Sequence, residues 1–132
     1  MSNNKIFIYV DGACKGNHDK YSDREGMCCV YIPEYDHKII ITSPTIRTNN
    51  EAEWQALIWG LVSSKYFIGK ECVIYSDSQL VVNQFNKVFK VSNNTMYSYY
   101  LRATHIAREL ENITVEWISR NSNLAGVILE EM

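Results

Sequence analysis

Three carboxylates of this 132-residue chain stand where an acid is costly unless something holds its charge. Asp11 ends the apolar run Ile6-Phe7-Ile8-Tyr9-Val10 and is followed by Gly12. Asp77 follows a second such run, Cys72-Val73-Ile74-Tyr75, after Ser76. Glu53 falls in the first turn of a stretch where Trp54, Leu57, Ile58 and Leu61 recur at helical spacing. Its neighbours at i+4 and i+7 are Leu57 and Gly60, so it borders the apolar face. Parallel neighbouring strands would deliver Asp11 and Asp77 to one sheet edge, where ligands of α/β proteins bind. Like charges gathered there repel and raise one another's pKa. A divalent cation reverses that logic. Hard oxygen donors with open positions suit Mg²⁺ or Mn²⁺. Two such ions about 3.5–4 Å apart can clamp the attacking and leaving oxygens of a phosphodiester.

The acids need a scaffold that brings them together. Residues 5–14, 26–32 and 38–42 read as three strands with short links, an antiparallel meander. Residues 15–25 are a polar loop, and Glu34-Tyr35-Asp36-His37 joins the second strand to the third. Thr48-Asn49-Asn50 offers capping side chains to a helix over 50–65, with Glu51 and Glu53 in its first turn. A strand over 72–75 follows. Ser78 then caps a helix whose apolar positions are Leu80, Val81, Phe85 and Val88. Met96 to Leu110 makes a third helix after the polar residues 91–95. Ile113, Val115 and Trp117 alternate with polar residues as a fifth strand. A polar loop over 119–123 leads into a short helix over 124–131. The order βββαβααβα predicts a single α/β domain over residues 1–132. Its mixed five-stranded sheet has three antiparallel strands plus two parallel ones, flanked by helices.

Composition narrows the function classes. Hydrophobic residues make up 46% and charged residues 21%, as in a globular domain. The net charge of −2 means that any nucleic-acid binding relies on local patches. Cys14, Cys28, Cys29 and Cys72 form no C-x-x-C pair, so reduced thiols in the cytoplasm are expected and a structural zinc site is not. No apolar run approaches the roughly 18 residues of a membrane span, and the N-terminus lacks a signal-peptide core. His18, His37 and His105 fit no ligand pattern. Tyr97, Tyr99 and Tyr100 form an aromatic stripe expected to pack in the core.

Three longer motifs enclose the acids. They are Tyr9-Val10-Asp11-Gly12-Ala13 with Gly16-Asn17, Thr48-Asn49-Asn50-Glu51-Ala52-Glu53-Trp54-Gln55-Ala56-Leu57, and Tyr75-Ser76-Asp77-Ser78-Gln79-Leu80-Val81-Val82. With them the chain resembles type 1 ribonuclease H, in its compact bacterial and archaeal branch, over nearly its whole length. The resemblance implies a ribonuclease H-like fold and metal-dependent hydrolysis of the RNA strand of an RNA–DNA hybrid. Asp11 would bridge two Mg²⁺ ions, with Mn²⁺ as a substitute, and Glu53 and Asp77 would each hold one side. In-line attack of water would leave 5′-phosphate and 3′-hydroxyl ends. Cys14 and Lys15 through their backbone, with Asn17, Asn50 and Gln79, would meet the RNA. Asn49 stands beside Asn50 as a further contact or a helix cap. Thr48 and Asn17 would grip a phosphate of the DNA strand. Recognition would be by groove shape and 2′-hydroxyls.

The resemblance breaks in the last motif, Ser119-Arg120-Asn121-Ser122-Asn123-Leu124-Ala125-Gly126-Val127-Ile128-Leu129-Glu130. Arg120 and Asn123 match the Arg-bearing branch, and Arg120 would contact phosphate. The fourth acid of the family falls on Gly126, or on Val127 without a gap. Glu130 lies one helical turn beyond Gly126 and is the expected replacement. Ile46 stands where the family often has an Arg, with Arg47 the nearest cation. Residues 86–95 supply only Lys87, Phe89 and Lys90 as a basic handle, so modest affinity and strong salt sensitivity are expected. A monomer without an obligate protein partner is expected, with no hybrid-binding domain before Met1. Two other readings stay open: a nuclease of the same fold acting on another nucleic-acid structure, and a noncatalytic nucleic-acid-binding module.

Overall fold

The computed structural model describes residues 4–15, 25–43 and 45–132, apart from the side chains of Lys15 and Glu25. Five strands and four α-helices alternate along it: β1 (Lys5–Lys15), β2 (Glu25–Ile32), β3 (His37–Ser43), α1 (Asn49–Ser64), β4 (Glu71–Ser76), α2 (Gln79–Phe85), α3 (Asn94–Arg108), β5 (Ile113–Trp117) and α4 (Leu124–Glu130). The sheet order is β3-β2-β1-β4-β5. β1, β2 and β3 pair antiparallel, while β4 and β5 join in parallel. This is the predicted mixed α/β sheet. None of the described helices is long and apolar enough to cross a membrane.

Strand alternation sorts the core into two layers. Ile6, Ile8 and Val10 of β1, with Cys28, Val30 and Ile74, are fully buried against Trp54, Leu57 and Leu61 of α1. On the other face Met27 and Cys29 lie under Ala125 and Leu129 of α4, with Tyr9 and Tyr31 packed alongside. All four cysteines are buried and reduced. Tyr99 is buried, and Tyr100 meets Trp54 edge-on at 6.3 Å. Tyr97 remains exposed, stacked on Tyr100.

The start of α1 is held in several ways. The Thr48 hydroxyl accepts the Glu51 N–H at 3.1 Å. The Glu51 carboxylate accepts in return from the Thr48 hydroxyl and from the Arg47 N–H, both at 3.3 Å. Trp54 is fully buried and donates its indole N–H to Gln84 at 3.3 Å, which ties α1 to α2.

Most element ends shift by a residue or two, His37 opening β3 rather than ending its link, and two shifts have a visible cause. α2 ends at Phe85 and does not reach Val88. Lys87 turns the chain at φ 66°, and the N–H groups of Val88 and Phe89 both return to the Asn83 carbonyl at 2.8 and 3.1 Å. Val88 is therefore exposed. α3 begins earlier than Met96, because the Asn93 side chain accepts the Met96 N–H at 3.1 Å and starts the helix at Asn94.

Close approach of β1 to α1 depends on Gly12 and Gly60. A Cβ at Gly60 would stand 2.7 Å from Val10 Cγ1, and one at Gly12 only 2.2 Å from the Ala52 carbonyl oxygen. The latter neighbour is backbone and cannot swing away. Gly12→Ala is expected to lower unfolding stability by about 3 kcal/mol, the upper part of the overpacking range. Urea denaturation checks it, as a lower midpoint at unchanged slope.

Candidate active site

The parallel register sets Tyr9 beside Tyr75. Two residues further on, the same alignment delivers Asp11 and Asp77 to one edge of the sheet. Glu53 enters from α1 just past its first turn, at the point where Gly12 lets the helix approach β1. The Gly12 N–H donates to Glu53 Oε1 at 2.7 Å. One carboxylate oxygen from each of Asp11, Glu53 and Asp77 lies within 4.8 Å of the others, and all three residues are half-buried. Among the described residues this is the one group of three His, Cys, Asp or Glu side chains that could hold a metal ion.

The electrostatics agree. Burial first, and then the Asp77 charge, pushes the Asp11 carboxyl well above the usual carboxylate range. Burial, then Asp11 and Asp77, does the same to Glu53. A hydrogen bond with Glu53, then the Arg120 guanidinium and the Gly12 N–H, pull Asp11 partly back. Without a cation such a group retains protons, and an oxygen-preferring divalent cation displaces them. Burial and the Glu53 and Asp11 charges push the Cys28 thiol up to about 12. It is no nucleophile at neutral pH.

The residues expected to meet substrate divide into groups. Asn50 and Gln79 are exposed in the first turns of α1 and α2, beside Glu53 and Asp77 in sequence. Asn49 is engaged within the protein, its Oδ1 accepting the Cys14 N–H at 2.9 Å. The Cys14 side chain is buried against the Ile46 carbonyl. Thr48 serves as the cap of α1. The Lys15 backbone pairs with Glu25 across the β1–β2 ladder. Asn17 and His18 lie outside the described residues. Ile46 is buried in the core and Arg47 is exposed.

Glu130 is not brought to the three carboxylates. Its Oε1 stands 3.8 Å from Arg120 Nε, and both side chains are largely exposed. The reason lies in helix geometry. Gly126 abuts Asp11, and a Cβ built on it would be 3.3 Å from Asp11 Oδ2. Glu130 shares that face but sits four residues, about 6 Å, further along the axis. Val127 is exposed, so neither candidate position supplies an acid.

Asn123 entered the sequence reading only through the last motif. It is fully buried. Its Nδ2 donates to the Val10 carbonyl at 2.9 Å and to Asp77 Oδ2 at 3.1 Å, while Oδ1 accepts the Ala125 N–H at 3.1 Å. An Asn before an apolar helix is an ordinary cap signal. It does cap α4, and that obvious role conceals the contact with Asp77. Trp117 likewise read as one more strand residue. Its indole N–H donates to the Asp77 carbonyl at 3.0 Å.

Comparison with known proteins agrees with this geometry. The sequence model of the RNase H family matches residues 3–123. A bifunctional protein of Mycobacterium tuberculosis is 29% identical over 123 residues, covering 90% of this chain and 32% of that protein. The chain thus spans about a third of the length of that relative. The structure of LC11-RNase H1, isolated from compost, superposes with a TM-score of 0.77 at 30% identity, covering 96% of this chain and 93% of the other. The same LC11-RNase H1 in complex with an RNA/DNA hybrid gives 0.73 at 27% identity, covering 90% and 88%. Sequence motifs, sheet order and the acidic cluster concur: the chain belongs to the RNase H family.

Proposed function

We propose that the chain is a metal-dependent endonuclease that hydrolyses the RNA strand of RNA–DNA hybrids. The observation that carries this reading is the meeting of Asp11, Glu53 and Asp77 at one sheet edge, in a chain of the RNase H family. The hybrid bound by LC11-RNase H1 supports the choice of substrate. Asp11 would bridge two Mg²⁺ ions, with Glu53 and Asp77 each holding one side and Mn²⁺ as a substitute. Bound there, the ions supply Lewis-acid stabilisation of the phosphodiester oxygens and activation of water for in-line attack, leaving 5′-phosphate and 3′-hydroxyl ends.

The chain's own groups do the rest. The Gly12 N–H orients Glu53. Asn50 and Gln79 present amides that both donate and accept, as a 2′-hydroxyl requires. Asn49 holds the end of β1 against the start of α1, and its exposed amide nitrogen would be its contact with RNA. Cys14 and Lys15 would meet the RNA strand through their backbone, and Thr48 and Asn17 would grip a phosphate of the DNA strand. Arg120 contacts phosphate, with Glu130 as its counter-ion in the free protein. The four buried thiols support a reducing compartment, the cytoplasm.

A second reading, a noncatalytic nucleic-acid-binding module, is favoured by one observation. No carboxylate stands at Gly126 or Val127 beside Asp11. Matched RNA–DNA, RNA–RNA and DNA–DNA duplexes, incubated with Mg²⁺ or with chelator, separate the readings. Cleavage confined to the RNA strand of the hybrid, and abolished by chelator, is expected. Binding of the hybrid without cleavage would establish the second reading, and cleavage of the DNA duplex would move the substrate elsewhere.

A further inference from the structure

Asp77 is held at both ends by one downstream segment. Its carboxylate accepts from Asn123 at 3.1 Å and its backbone carbonyl accepts from the Trp117 indole at 3.0 Å. Between these donors, the Ile118 N–H closes on the Ser76 carbonyl at 3.0 Å. The chain from 117 to 123 therefore wraps the end of β4. Asn123 also binds the Val10 carbonyl, one residue before Asp11. One fully buried amide thus spans the ends of the two strands that carry the aspartates.

The amide can be oriented only one way. Its oxygen faces the Ala125 N–H, and its nitrogen faces two acceptors. The two Nδ2 protons match the two acceptors, so no polar atom is left over. An Asp χ2 torsion is otherwise broad and roughly two-fold. A hydrogen bond from a buried, fixed donor removes that freedom. Groups that orient metal-binding carboxylates in this way typically change metal affinity when removed.

We infer that Asn123 and Trp117 are positioning residues that fix Asp77 for cation binding, so that the C-terminal segment serves the metal centre through hydrogen bonds rather than through a fourth carboxylate. This rests on the metal-centre reading above. Asn123→Ser keeps a helix-capping hydroxyl but cannot span both acceptors. Trp117→Phe keeps an aromatic ring at an exposed rim, where the lost ring atoms bury little, and removes the indole N–H.

Mn²⁺ binding to the full chain without nucleic acid, read by the paramagnetic resonance of free Mn²⁺, tests the inference beside thermal unfolding of the metal-free protein. Asn123→Ser is expected to weaken Mn²⁺ binding by about 10- to 100-fold. Trp117→Phe is expected to weaken it by about two- to tenfold, with the metal-free melting temperature nearly unchanged. A merely structural role would lower melting temperatures and leave Mn²⁺ affinity alone. Affinities within twofold of the parent in both variants overturn the inference while leaving the metal centre standing. If Asn123→Ser does not fold, Trp117→Phe decides alone by the same twofold criterion. A parent that binds no Mn²⁺ removable by Asp11→Asn overturns this inference and the metal centre together.

Discussion

Asp11→Asn is expected to slow hybrid cleavage by about a thousandfold or more while leaving hybrid affinity nearly unchanged. Asp11 shares the site with both other acids. Its carboxyl feels Glu53, Asp77 and Arg120 at once. Asn preserves the size of the side chain but removes the charge that two cations would share. Metal-assisted stabilisation of a phosphodiester transition state is worth several kcal/mol, and each 1.36 kcal/mol is about tenfold in rate. The variant removes a term that acts on the reacting phosphate rather than on the duplex backbone, so kcat bears the loss. Initial rates on an end-labelled hybrid at saturating Mg²⁺, with binding measured separately in chelator, give the two numbers. A variant retaining a tenth of the parent's rate would remove Asp11 from the centre of the site.

The second large effect concerns stability without metal. Asp11 and Glu53 have carboxyls raised above their unfolded values, Asp11 to about 7 and Glu53 further still. The folded protein therefore binds more protons than the unfolded chain above the ordinary carboxylate range. Its stability is fully present at about pH 4 and falls as the pH rises through 7. This is the reverse of a salt-bridged acid. Glu53→Gln removes the cost that burial and the two aspartates impose on this carboxyl, and is expected to stabilise the metal-free protein by about 1–3 kcal/mol at pH 8 while abolishing cleavage. Mg²⁺ should raise the parent's melting temperature more at pH 8 than at pH 5, and leave the variant's largely unmoved. Denaturant melts at the two pH values, with and without Mg²⁺, read all of this. A parent whose metal-free stability rises steadily from pH 4 to 8 would contradict the assigned repulsion.

Much of the site is legible in the sequence because it is carried by local pattern. Apolar runs that stop on Asp11 and Asp77 declare strand ends, and parallel pairing of β1 with β4 puts those ends on one edge. Glu53 declares itself through its helical neighbours and the Thr48 cap. What stays hidden depends on contacts distant in sequence. The Asn123–Val10 hydrogen bond joins residues 113 apart, and no local rule points across that gap. Glu130 shows the opposite failure. Helical periodicity puts it on the face of Gly126, but periodicity says nothing of the rise along the axis, and Arg120 is within reach instead. The early end of α2 has the same character, since Lys87 adopts φ 66° in a turn that apolar spacing alone does not announce.

Diffraction from crystals grown with Mn²⁺ and a noncleavable RNA–DNA hybrid, measured at the manganese absorption edge, tests the central claim most directly. The account predicts anomalous density bounded by carboxylate oxygens of Asp11, Glu53 and Asp77, against a phosphate of the RNA strand. Hybrid seated at this edge with no anomalous density among those three side chains would contradict it.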